Sequence, residues 1–94
     1  MSDGTKEPVN VYQVLAIMVD QLAGLAWQKM GLQHDMVTGQ IAKDPQQAKV
    51  AIDACADLCK HLDPELDSDD RRRLQSLLND LRINFLDQSK GDTL

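Results

Sequence analysis

Cys55 and Cys59 are the first residues to weigh for chemistry. A spacing of four on a helix aims both sulfurs the same way, and two thiolates are the beginning of a soft-metal site. Two ligands do not fill a tetrahedral shell, and both thiols fall in the middle of an apolar stripe. There a thiol is desolvated, keeps its proton and packs as a small hydrophobe, so core packing is the stronger reading. Asp53, Asp57 and His61 repeat every four residues on the other side of the same segment and would offer two carboxylates and an imidazole to a divalent ion. Lys49 and Lys60 flank them, and pairs such as Lys49 with Asp53 and Asp57 with His61 are what a solvated helix face carries, at about 0.2–0.5 kcal/mol each. His34 and Asp35 are adjacent, with nothing nearby to orient the imidazole as a base. No nucleophile with a base, no separated pair of carboxylates and no phosphate-cradling glycine loop stands out, so the expectation is a protein that is not an enzyme, with no cofactor and no metal.

The run Arg71, Arg72, Arg73 is the one concentration of positive charge. Asp67, Asp69 and Asp70 precede it, Asp69 is spaced to pair with Arg73, and no aromatic residue is interleaved to stack a base, so nucleic-acid binding is not expected. Trp27 lies at the edge of an apolar helix face, where an indole caps a core or anchors an interface. Ile83 and Leu86 fall nearly opposite the apolar stripe of their own helix. Trp27, Lys29, Ile83 and Leu86 are therefore the candidate interface residues. Asp80, Arg82 and Asn84 form a candidate structural polar cluster, with the irregular segment from Gln33 to Lys43 as its expected partner.

Three helices must position these residues. Asn10 is a helix cap, with Gln13 placed to complete a capping box and Val9 and Val14 placed as a hydrophobic staple. Val11, Leu15, Met18, Leu22 and Leu25 form one apolar row, and Ala16, Val19, Ala23, Ala26 and Met30 form a second beside it. A face that wide predicts contact with two neighbours and puts helix one at the centre of the fold. Gly31 ends it, with Leu32 folding back. In the following loop Thr38 and Gly39 make a tight turn, with Val37 and Ile41 as apolar anchors onto the bundle. Asp44 followed by Pro45 opens helix two, which runs to His61 or Leu62 with Ala48, Ile52, Cys55, Cys59 and Leu62 on its apolar face, supported by Ala51 and Leu58. Pro64 and a short link predict an antiparallel return into helix three, starting near Asp67 or Ser68 and carrying Leu74, Leu77, Leu78, Leu81 and Phe85 inward. The fold class expected is all-α. It is a three-helix bundle with a long central first helix, a hairpin of helices two and three, and one irregular packed loop. Residues 1–8 read as a disordered tail, 9–90 as the domain and 91–94 as a frayed end.

The chain has 94 residues, a formal net charge of −5, 43% hydrophobic and 3% aromatic residues. A small domain of aliphatic side chains builds one modest core, and oligomerisation is a natural way to add to it. The negative charge argues against nucleic acid and anionic membranes as partners. The run from Val14 to Val19 stops at Asp20, too short for a signal or membrane span, which points to the cytoplasm and free thiols.

The chain resembles the bacterial family catalogued as domain of unknown function 1844. The resemblance is carried by Leu25 to Leu32 (Leu-Ala-Trp-Gln-Lys-Met-Gly-Leu), by Thr38-Gly39 with Ile41, and by Asp44 with Ala48. Ala51-Ile52-Asp53 and the block from Leu77 to Phe85 complete it. It implies that Trp27, the Thr38-Gly39 turn and Asp80, Arg82 and Asn84 belong to the family's design, that the two cysteines do not, and it adds no reaction. The expected function is that of a non-enzymatic interaction protein whose partner is itself or another protein. The alternative is a small-ligand or metal-binding module, with the 33–43 loop closing over a pocket between helices one and three near Trp27 and Arg82.

Overall fold

The computed structural model describes residues 7–92. Most of the tail expected over residues 1–8 lies outside them, as do Thr93 and Leu94 of the end expected to fray. Gly91 and Asp92 are still helical.

Three helices form where capping chemistry allows. α1 spans Val11–Lys29, and the extended Asn10 before it accepts hydrogen bonds through its Oδ1 from the Tyr12 and Gln13 amides at 2.9 and 3.3 Å. Val9 is 84% exposed, so the staple expected with Val14 buries little. At the other end Gly31 takes φ +83°. Its amide donates to the Gln28 carbonyl at 3.0 Å and that of Leu32 to Trp27 at 3.1 Å, the pair of bonds that closes a helix through a left-handed residue. α2 spans Pro45–Leu62, with the Asp44 carboxylate accepting from the Gln47 amide at 3.1 Å. A single 3-10 turn, Asp63–Glu65, leads to α3, Ser68–Asp92, capped by Asp67 accepting from the Asp70 amide at 2.8 Å. Arg71 locks this corner. Its Nη2 donates to the carbonyls of Asp63 and Leu66 at 3.0 and 2.9 Å, and its Nε meets the Asp63 carboxylate at 3.2 Å.

The architecture is an all-α three-helix bundle, with α2 and α3 antiparallel: Arg71 joins the end of α2 to the start of α3, and Lys43 donates to Gln88 at 3.4 Å near the other end. One feature of the expected arrangement is corrected. The helix between the other two is α2, since α1 packs along α2, α3 packs on α2, and α1 and α3 meet only briefly. The side chains explain why. Ala48, Ala51, Ile52, Cys55 and Cys59 are buried along α2, and four of these five are small enough to let both neighbours approach closely. Val19, Ala23, Ala26 and Met30 meet them from α1, with only Leu78 and Leu81 fully inside from α3. The apolar width of α1 is real, but it faces water instead of a second helix. The bundle is correspondingly elongated, 58 × 31 × 18 Å with a radius of gyration of 15.9 Å, against about 12 Å for a compact chain of this length.

Two glycines test this local account in opposite directions. Gly24 sits inside α1 with open space where a Cβ would stand, so Gly24→Ala is expected to stabilise the fold by about 0.5–1 kcal/mol. Gly31 combines positive φ with a Cβ position 3.3 Å from the Lys43 side chain, so Gly31→Ala is expected to destabilise by about 1 kcal/mol. Urea denaturation of both variants checks the signs, and equal effects would contradict the capping geometry.

Candidate interaction surface

The outer side of α1 carries a row of apolar residues that nothing in the chain covers. Val11, Met18 and Leu25 stand seven apart, with Val14 between the first two. They are 63, 41, 37 and 43% exposed respectively, and Ile17 beside them is 56% exposed. A seven-residue repeat of apolar side chains is the spacing of a helix seam that meets another helix. Leu15 and Leu22, packed at the edge of the core, continue the row toward α2. There two shallow grooves are lined only by α1, α2 and the residues before α1. One, about 310 Å³, holds Leu22, Leu25, Lys29, Val50, Ala51 and Ala54. The other, at the opposite end, holds Val9, Val11, Tyr12, Leu15, Leu58 and His61. The seam from Val11 to Leu25 carries no charge, because Asp20 projects from the opposite side of the helix and Lys29 lies beyond the last apolar residue.

The four residues expected at an interface separate. Lys29 lines the groove between α1 and α2, and its carbonyl accepts from the Asp44 amide at 2.8 Å. Trp27 is half-buried against the core, on the side of α1 away from Met18. Ile83 and Leu86 are 57 and 59% exposed on α3, a different helix from the α1 seam. The outward row on α1 is the wide apolar face expected from the sequence, turned to water instead of to a second helix of the bundle.

The expected polar cluster also divides. Asn84 donates to the Asp80 carbonyl of its own helix at 2.8 Å, while Arg82 points to the other flank. There it lines a cleft of about 360 Å³ between α2 and α3, with Lys60, Arg71, Gln75 and Asp63 around a floor of Ala56, Cys59, Leu74 and Leu78. Trp27 and the 33–43 loop contribute nothing to that cleft, so the lidded pocket between α1 and α3 is not the arrangement present. The loop is fastened by polar groups, contrary to the apolar anchoring expected of it. Val37 and Ile41 are 87 and 52% exposed. Gln28 Oε1 accepts from the Met36 amide at 3.0 Å, and the Asp35 carboxylate accepts from the Val37 and Thr38 amides at 2.8 and 2.9 Å. Those two amides, Thr38 foremost, hold the Asp35 carboxyl below its ordinary range. Gly39 completes the turn at φ +71°. An aspartate two and three residues before the amides it caps is the sequence signal for this turn.

Both cysteines are buried free thiols, and Cys55 Sγ donates to the Val19 carbonyl at 3.6 Å. Desolvation pushes the Cys55 thiol up to about 11, with Cys59 and Asp20 adding to it, and burial raises Cys59 too, against the pull of Arg82. On the outer side of α2, Lys49 pairs with Asp53 at 2.8 Å, whereas Asp57 pairs with Lys60 at 3.5 Å and leaves His61 to the groove. Asp69 and Asp70 pair with Arg72 and Arg73 at 3.8 and 3.7 Å, replacing the expected Asp69–Arg73 pair with three-residue steps. Among the described residues no group of three His, Cys, Asp or Glu is placed to hold a metal ion, and no helix is long and apolar enough to cross a membrane.

The family model described as Domain of unknown function (DUF1844) matches residues 12–87. The chain belongs to this family. No curated protein and no solved structure matches it. The DUF1844 match begins at Tyr12 and ends at Asp87, so it takes in the α1 seam apart from Val11, the Asp35 loop and the α2/α3 cleft.

The buried thiol makes alkaline stability a test of this core. The unfolded thiol ionises near its ordinary value of 9.0, while folded Cys55 stays protonated to about 11. Its contribution is therefore present below pH 9 and lost as pH rises from about 9 to about 11, where the unfolded chain binds fewer protons than the folded one. Cys55→Ala is expected to show a shallower loss of stability over that window in urea denaturation. Matching slopes would contradict a desolvated thiol.

Proposed function

We propose that this DUF1844 protein is a non-enzymatic interaction protein of the cytoplasm, acting by protein–protein contact through the outer face of α1. The observation that supports this reading is the uncharged row Val11, Val14, Met18 and Leu25, left in water by a bundle whose core α1 has already joined through its other side. An isolated exposed leucine needs no explanation. A row along one helix, continued by Leu15, Leu22 and Val50 across two grooves, is a patch of the kind that partners cover. The experiment is gel filtration of the tagged protein in an extract of its own cells, with the wild type expected to elute at no less than twice the monomer mass. Met18→Asp and Leu25→Asp, both at exposed positions, are expected to bring it to the monomer, whereas Ile83→Asp is not. A wild-type protein that elutes as a monomer both in extract and purified overturns the reading.

A second reading is favoured by the α2/α3 cleft. Arg82 makes no hydrogen bond or ion pair among the described residues and shares that space with Lys60 and Arg71, which pair with Asp57 and Asp63. A small anion would suit it, without any lid from the loop. Phosphate titrated into labelled protein is expected to shift the Arg82 and Cys59 signals saturably, and Arg82→Gln to abolish the effect. No saturable shift at millimolar phosphate removes this reading.

A further inference from the structure

The exposed row on α1 has a midpoint, and that midpoint names its occupant. Val11 and Leu25 mark its ends, and Met18 lies seven residues from each. We infer that a second copy of this chain covers the face, with α1 antiparallel to α1 of the other copy across a two-fold axis at Met18. The inference rests on the interaction reading above and deepens it.

A two-fold there sets Val11 against Leu25, Val14 against Leu22 and Met18 against Met18, so every outward apolar side chain of the row finds an apolar partner on both copies. A centre shifted by one turn leaves Val11 or Leu25 overhanging. A parallel pairing would set Lys29 against Lys29 and align the helix dipoles, whereas the antiparallel one separates the lysines to opposite ends and opposes the dipoles. The two grooves favour the same choice. The end that exposes Val50 beside Leu25 is carried onto the end where Val9, Tyr12 and Leu58 form a hollow. Charge does not oppose contact. The chain carries a net −5, yet the only charged residues between Val11 and Lys29 are Asp20, on the far side, and Lys29 itself.

Area decides the strength. The Val11 to Leu25 stretch is about 21 Å long at 1.5 Å per residue, and two helices side by side are about 20 Å wide. That is on the order of 400 Å² of flat face before side-chain relief, about half of the roughly 800 Å² per partner of a stable complex. The dimer is therefore reversible and concentration-dependent, with the two α1/α2 layers stacked face to face and α3 outside on each copy.

Disulfide trapping in the full chain tests it. Met18→Cys is expected to give a covalent dimer on mild oxidation. Val11→Cys mixed with Leu25→Cys is expected to cross-link at least tenfold more than either variant alone, with bonds mapped by peptide mass spectrometry because Cys55 and Cys59 are buried. Val11→Cys cross-linking efficiently to itself overturns the antiparallel two-fold in favour of a parallel one. A wild-type complex in extract without either cross-link overturns the second copy as occupant and leaves the interaction reading standing. A purified wild type that scatters as a 10.5 kDa monomer at every concentration, with no cross-link, overturns self-association altogether.

Discussion

Close packing against α2 is the constraint from which the rest of the fold follows. Ala48, Ala51, Cys55, Ala56 and Cys59 give that helix a surface with few bulky side chains, so α1 and α3 both reach it and hold each other only at the margin. The fully buried set is small, with Met30, Leu62, Leu81, Val19 and Cys55 its largest side chains. A core of that size leaves a domain marginal, and polar detail matters more at its ends. Asn10, Asp44 and Asp67 cap the three helices, and Arg71 bonds the turn between α2 and α3 at two carbonyls and a carboxylate.

The same constraint leaves apolar surface behind. α1 spends Val19, Ala23, Ala26 and Met30 on α2 and has a second row to spare. A helix with apolar residues on more than half its circumference needs two neighbours, and within one copy it has one along its length and part of another at its edge. Stacking a second α1/α2 layer on the exposed one gives the missing neighbour without altering the first. The Arg82 cleft is lined by α2, α3 and the turn between them, so an anion site there and a dimer across α1 would not compete for the same groups.

Local signals in the sequence were legible to within a residue or two. Asn10, Asp44 with Pro45, and Asp67 each mark a helix start by the chemistry of unpaired amides, and Gly31 marks an end by its positive φ. The two cysteines were readable as core because they share a face with Ala48 and Ile52. What periodicity did not carry was direction. A wide apolar face says that α1 has more than one neighbour but not whether the extra one belongs to the same chain, and the small side chains of α2 decided that question. Residue spacing likewise grouped Asp80, Arg82 and Asn84, although on a helix neighbours two apart point to opposite flanks. The loop misled for a related reason. Val37 and Ile41 looked like anchors by type, while the true fastenings are an amide of α1, Gln28, and the carboxylate of Asp35.

The central claim is that the outer face of α1 is covered in the working protein. Side-chain methyl spectra recorded over a dilution series observe that face directly. Concentration-dependent shifts are predicted for Val11, Val14, Met18, Leu22, Leu25 and Val50, with Ile83 and Leu86 unchanged. Shifts confined to Ile83 and Leu86, or none at any residue up to millimolar protein, would contradict the account.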